Sequence, residues 1–484
     1  MSKLAGKMGV ASLMLTVLAF SAPIAVVEGF IPFAIYFGGP GATFAFVLTT
    51  LTLLLFAIGY VAMAKHVDKP GAFYAFITTG LGKIPGLGAA FLAIFGYLSV
   101  LGGTYVFLGT STSSLIQSLG GSETHWAIWA LLGWVAVSTL GYFHIEMSAK
   151  ILSFAMVFEV LIVMIFNIFV LFAKAPAGEL SITPFTPSAF MGGDMSVTLL
   201  YTVLVFMGFE ATALFRDEVH TPHKTIPRAT YGAVLFVGIL YTLSCYSLIS
   251  AYGASAWDMA KENPTEMFAH AIGQYVAPVF TQITYASVVI SIFAALLSIH
   301  NVLSRYVLNL AADKALPTKL ASIHKQHNSP HAASVAITVV MGIILVLAWL
   351  SGREGASLYG LVVGIGGIGV IILMALVSLA IIFWFIKRGV PEGENRFKTF
   401  VAPAIAGMML TFTAVFACMH LDLVVGGEPH QNDWIIWALI GVFIMGSVLA
   451  IYFKFSQPHI YKSLGRTDIK ESLLIENCST EGMK

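Results

Sequence analysis

Apolar residues in this chain come in long continuous blocks separated by short polar stretches, without the period-two alternation of half-buried strands. A membrane-spanning helix needs about 20 mostly apolar residues to cross roughly 30 Å of hydrocarbon. Twelve blocks meet that template, at about 10–37, 43–64, 87–118, 126–143, 149–173, 194–215, 229–252, 278–311, 331–350, 356–386, 400–421 and 433–454. The missing alternation argues against a transmembrane β-barrel. The first block follows Lys3 and Lys7 and continues to about Phe37, well past the roughly 7–15-residue apolar stretch of a secretory signal, so it reads as a span. The expected fold class is an all-α polytopic membrane protein with twelve transmembrane helices.

Basic residues orient these spans. Twelve crossings put both termini and the even-numbered connections on one face, and that face holds all but Lys174, Lys261 and Arg353 of the 25 Lys and Arg. Basic residues concentrate on the cytoplasmic side, so both termini are expected in the cytoplasm and the chain in the cell membrane. The composition is 58% hydrophobic and 10% charged, against roughly 45–50% and about 25% in soluble domains, which excludes a soluble chain. With 25 basic and 24 acidic residues there is no electrostatic footprint for nucleic acid. Cys245, Cys418 and Cys478 are too far apart in sequence to suggest a disulfide framework or a zinc site, and no metal or cofactor is expected.

Three of the acids, Glu28, Glu159 and Glu210, fall inside spans 1, 5 and 6. An ionisable group in hydrocarbon is expensive and by default marks a path or a binding site; the alternative is a protonated carboxyl bonded across helices. Spans 1 and 6 also carry helix-breaking chemistry. Span 1 reads Ser21-Ala22-Pro23-Ile24, and Pro23 removes a donor and crowds the preceding turn. Span 6 reads Phe206-Met207-Gly208-Phe209-Glu210, where Gly208 permits backbone closed to other residues. Interruptions at matching places five spans apart point to an inverted-repeat transporter with its site near the midplane. There a half-helix N-terminus suits a carboxylate and the facing carbonyls suit an ammonium group; a free amino acid has both. The competing reading is that Pro23 only kinks its helix and Gly208 only packs closely.

Three blocks carry a family resemblance. Phe206–Glu210, followed by Arg216-Asp217-Glu218, Pro222 and Lys224–Ala229, resembles the sixth span and following loop of amino acid–polyamine–organocation permeases. The stretch Lys69-Pro70-Gly71-Ala72-Phe73-Tyr74-Ala75-Phe76 is similar to their P-x-G-G-x-Y-x-Y pattern, and Arg305 through Asp313-Lys314-Ala315-Leu316-Pro317, with Pro330 beyond, is similar to the end of their eighth span and the start of the ninth. The resemblance implies a leucine-transporter-type core, 1–386, made of spans 1–5 and 6–10 as a 5+5 inverted repeat with broken helices 1 and 6. Peripheral spans 11–12 (387–455) and a cytoplasmic tail (456–484) follow. It also implies alternating access, with solute held between the breaks by Ser21, Ala22, Pro23, Ile24, Phe206, Gly208 and Phe209. Many relatives carry a G-S-G-type motif in the first break, where this chain has Ser21-Ala22-Pro23.

For coupling, the resemblance implies proton-sensitive gating at Glu210. It also places Glu159 near a cation site that a lysine fills in some sodium-independent relatives, where a carboxylate would take a proton or a sodium ion. Removal from water favours the protonated form of a carboxyl. Glu28 matches an acid that some polyamine permeases place near the solute's amine. The expected function is proton-coupled symport of an amino acid through the bilayer by a monomer or homodimer. The rivals are an amino acid or polyamine exchanger without ion coupling, and a channel or sensor of the same fold. No nucleophile–base arrangement suggests an enzyme.

Other features read as structural. Gly364-Ile365-Gly366-Gly367-Ile368-Gly369 fits G-x-G-x-x-G but lies within an apolar block, where close helix packing is the better reading. Gly102-Gly103-Thr104 and the span-10 glycines suggest room for a bulky solute. Ser287, Ser291 and Ser298 lie near a face of span 8 that could supply hydroxyls to a cation site, but each is expected rather to bond back to the preceding turn; His300 is expected to be a hydrogen-bonded packing residue, and the tail beyond Phe455 to be interfacial or disordered.

Overall fold

The structure is a computed structural model that describes residues 8–67, 72–143, 145–216, 219–264, 266–324, 329–425, 427–428 and 430–465. Lys69-Pro70-Gly71, Asp217-Glu218, Lys325 and everything from Arg466 on, Cys478 included, lie outside the described residues.

The first crossing is three pieces: α1 (Val10–Ser21), α2 (Pro23–Gly29) and α3 (Ile31–Gly38). Then follow α4 (Ala42–Ala64), α5 (Ala72–Gly80), α6 (Lys83–Ser118), α7 (Trp126–Phe143) and α8 (Ile145–Lys174). A short α9 (Pro187–Met191) leads to α10 (Met195–Leu204), after which the chain turns and resumes as a 3-10 helix over Phe209–Ala213. Next come α11 (Pro222–Tyr252), α12 (Ala256–Glu262), α13 (Met267–Tyr275), α14 (Val279–Ala312), α15 (His331–Leu350) and α16 (Gly355–Arg388). The chain closes with α17 (Ala402–Met419), α18 (Leu421–Val425), α19 (Trp434–Ser456) and α20 (Pro458–Ser463). Among the described residues the one strand-type pairing is an isolated bridge between Met8 and Val219. Among the described residues eleven segments are long and apolar enough to cross a membrane, and Trp126–Tyr142 is a shorter apolar helix. The protein is an all-helical, multi-pass membrane protein.

The long helix α6 is the central post, in contact with α5, α7, α14, α16 and α19. Its glycines explain how. A Cβ on Gly103 would fall 2.4 Å from Val363 of α16, and one on Gly366 2.6 Å from the Gly96 carbonyl. At Gly103 and Gly366 small residues let two backbones meet, whereas at Gly360 no atom lies within 4 Å of where a Cβ would be.

Rather than leaving the bundle, residues 458–465 dock on the N-terminal face. Lys83 Nζ donates to the carbonyls of Tyr461 (2.8 Å) and Lys462 (2.7 Å), and the Gly465 N–H is 2.8 Å from both Tyr74 Oη and Asp313 Oδ2. Gly465 has φ +73°, and a Cβ there would lie 2.5 Å from Thr78 Cγ2. Only glycine fits this position without strain. Gly465→Val is therefore expected to undock the segment and speed tryptic cleavage after Lys462 several-fold in limited proteolysis. Equal cleavage rates in the variant and the parent would mean that these contacts do not hold the tail.

Candidate functional site

The two sequence interruptions are real breaks, and they touch. Ala22 takes a left-handed conformation (φ 47°, ψ 69°), rare for a residue with a Cβ. Pro23 then opens α2 at a position where its missing N–H costs nothing. This leaves the last carbonyls of α1 and the first N–H groups of α2 without intrahelical partners. In span 6 the turn Val205–Gly208 ends at Gly208 (φ 112°), where a Cβ would lie 2.8 Å from three carbons of Phe20. Ser21 Oγ donates to the Val205 carbonyl at 3.2 Å and is 2.5 Å from Tyr241 Oη. One side chain thus closes the gap between the breaks and anchors both to α11.

Each break holds a buried carboxyl. Glu210 is 0% exposed. Its Oε2 accepts the Gly208 N–H at 2.8 Å, its Oε1 accepts the Tyr97 hydroxyl of α6, and its own carbonyl accepts the Tyr60 hydroxyl of α4 at 2.8 Å. Glu159 of α8 is 2% exposed; it accepts the Ser291 hydroxyl of α14 at 2.5 Å and a backbone hydrogen bond from Ile24, in the first turn of α2. Ser287 does bond back to its own helix, through the Ile283 carbonyl at 2.6 Å. Ser291 does not: the carboxyl of Glu159 captures it instead. Among the described residues no group of three or more His, Cys, Asp or Glu could hold a metal ion.

A narrow cavity of about 70 Å³ lies at the junction. Break 1 contributes Phe20, Ser21, Ala22 and Ala25, and break 6 contributes Leu204, Val205 and Met207. The rest comes from Val100, Thr104 and Phe107 of α6, Ile292, Ala295 and Ile299 of α14, Tyr359 and Val363 of α16, and Val26 and Phe30. The walls are apolar apart from Ser21, Thr104, Tyr359 and the backbone at the breaks. Of the expected solute residues, Ser21 and Ala22 line this space. Pro23, Ile24, Phe206, Gly208 and Phe209 are buried but are not part of the lining, because they shape the breaks from behind. Glu28 is not in the wall either: its Oε2 accepts the Ala269 N–H of α13 at 3.1 Å, in the first turn of that helix.

Toward the N-terminal face the cavity is sealed by aromatic rings. Phe20 meets Tyr97 edge-on, Tyr97 packs on Tyr306, and Tyr60 stacks on Phe76 at 4.5 Å. Away from that face lies a second, wider space of about 460 Å³, walled by residues that include Phe33, Phe37, Tyr201 and Asp422. It shares Phe30, Leu204, Tyr359 and Val363 with the inner cavity. The partition between the two is one side chain thick.

Comparison with known proteins decides the family. Residues 10–445 match a family model described as amino acid permease. The chain belongs to the amino acid permease family. It is 23% identical to the branched-chain amino acid permease BcaP of Bacillus subtilis, over 442 residues covering 87% of each chain. It is 20% identical to the putrescine transporter PotE of Escherichia coli over 243 residues, 50% of this chain and 53% of that one. An uncharacterized transporter of Mycobacterium tuberculosis is 25% identical over 229 residues, 47% of this chain and 50% of that one. The permease is thus a transporter of amino acids or amines within the amino acid–polyamine–organocation superfamily, and not an enzyme.

Tyr97, Tyr60, Tyr241 and Tyr359 were not singled out from sequence as site residues, whereas Ser291 was weighed as a hydroxyl near a cation site. Nothing local marks a lone tyrosine in an apolar span; each gains its partner only when helices far apart in sequence meet. The Gly208–Phe20 contact makes a direct prediction. Gly208→Ala would force its Cβ against the Phe20 side chain in a left-handed backbone, which is expected to cost about 2 kcal/mol or more and lower the melting temperature of the purified permease by several degrees. A variant that melts like the parent would mean that the two breaks are not in contact.

Proposed function

We propose that this permease takes up amino acids with apolar side chains by proton-coupled alternating access. The observation that carries this reading is the cavity at the junction of two helix breaks, with each break wired to a buried carboxyl. The Ala25 N–H in the first turn of α2, which lines the cavity, and the carbonyls at the end of α1 suit the two ends of an amino acid, and the apolar walls suit an uncharged side chain. The name of the Bacillus subtilis relative, a branched-chain amino acid permease, supports the same solute class. A diamine such as putrescine, which the name of the Escherichia coli relative specifies, would need an acid in the wall, and Glu28 is turned to α13 instead.

In this reading α7 is the twelfth span, spans 1–5 and 6–10 form two inverted repeats, and spans 11–12 are peripheral. The charge distribution sets both termini in the cytoplasm. The second space then faces outside, and the tyrosine layer around Glu210 faces in. Glu210 and Glu159 carry the proton. Each is held by donors on two elements, so gain or loss of a proton changes which hydrogen bonds join a break to its neighbours. The coupling demands only that proton and solute binding reinforce each other. Glu159 already accepts from Ser291 and Ile24, which suits a proton better than a sodium ion in need of several free oxygens.

In proteoliposomes, Glu210→Gln is expected to abolish accumulation driven by a pH gradient and to retain solute counterflow. Glu159→Gln is expected to lose accumulation in the same way. Undiminished pH-driven accumulation in either variant would remove that residue from the coupling, and parent protein indifferent to the pH gradient would favour the exchanger.

A further inference from the structure

The partition between the inner cavity and the outer space contains one feature that closure alone does not explain. Its rings come from three elements: Phe30 after α2, Phe107 of α6 and Tyr359 of α16. Tyr359 stacks on Phe107 with centroids 4.7 Å apart and planes at 22°, and meets Phe30 edge-on at 6.1 Å. Phe107 in turn fills the place of a side chain at Gly29, where a Cβ would be 2.7 Å from its ring. Three phenylalanines would make this wall equally well. Position 359 is nonetheless a tyrosine, and its hydroxyl is buried with no hydrogen-bond partner among the described residues. The tyrosine hydroxyls at the breaks behave differently: Tyr60, Tyr97 and Tyr241 all have partners.

An unpaired buried hydroxyl is a cost that a phenylalanine would avoid. Tyr359 lines both spaces, and the inner wall around it is apolar apart from Ser21, Thr104 and the breaks. We propose that Tyr359 reads the transported solute: its hydroxyl hydrogen-bonds the charged head group of an amino acid in the inner cavity, while its ring closes the partition behind it. This deepens the amino acid reading above and rests on it. Occupancy and closure then reinforce each other, because the shut partition leaves its hydroxyl unpaired when the cavity is empty and pairs it when the cavity is loaded. Since every amino acid has the same head group, the hydroxyl should contribute to affinity whatever the side chain.

The test separates hydroxyl from ring. Binding of several apolar amino acids to purified protein is measured by calorimetry for the parent, Tyr359→Phe and Tyr359→Ala. Tyr359→Phe is expected to weaken binding of each by roughly tenfold, and in proteoliposomes to raise KM with little change in maximal rate. To probe the ring, Thr104→Cys is introduced with the native cysteines replaced by serine. With saturating solute, a membrane-impermeant thiol reagent is expected to label this cysteine slowly while Tyr359 is intact, and many-fold faster in Tyr359→Ala. Parent-like affinity in Tyr359→Phe would overturn the hydroxyl's role while leaving the permease reading intact, and unchanged labelling in Tyr359→Ala would overturn the ring's. A parent protein that binds no amino acid would overturn both this inference and the reading beneath it.

Discussion

A peptide group inside a membrane must find a partner within the protein, because lipid offers none. Every other feature of this permease follows from how it meets that demand at two places where a helix stops midway. Leaving one buried backbone group unpaired costs about 1–3 kcal/mol, so an isolated break would be a liability. Here the breaks sit side by side. Ser21 joins one to the carbonyl of Val205 in the other, the Gly208 N–H finds Glu210, and the Ile24 N–H finds Glu159. The groups that remain face a cavity shared by both breaks, which is where irregular backbone can persist at membrane depth.

The same contacts make the breaks mechanically useful. Glu210 ties span 6 to α6 through Tyr97, and Glu159 ties α2 to α14 through Ser291. Both carboxyls therefore lie on joints between a broken helix and a continuous one. The asymmetry of the cavity points the same way. Several packed rings separate it from the N-terminal face, whereas a single layer of side chains separates it from the outer space.

Much of this was legible in the sequence, and the reason is chemical. Pro23 and Gly208 alter the backbone directly, and a carboxyl in an apolar block has no cheap explanation, so breaks and acids stand out in one dimension. Residues whose role depends on a distant neighbour do not. Tyr97 and Ser291 are ordinary members of their spans until Glu210 and Glu159 are set against them. Glu28 carried the same signal as the other two acids, yet folding turns its carboxyl to the first turn of α13 and not into the cavity wall. Glycines are ambiguous for a related reason: at Gly103 and Gly366 small size serves contact between helices, whereas Gly360 faces open space, and sequence alone does not separate the two. The docking of residues 458–465 depends on Lys83, Tyr74 and Asp313, all remote in sequence from the tail.

The claim beneath this account is that bare backbone at the junction of the breaks grips the head group of an amino acid. The most direct measurement is the shift in melting temperature of the purified permease with a branched-chain amino acid, its methyl ester and the corresponding amine without the carboxylate. A ligand that binds the folded state raises apparent stability. The intact amino acid should raise it clearly, and the ester and amine should not. Equal stabilisation by the carboxylate-free amine would contradict the claim, because the backbone at the start of α2 would then have no anion to hold.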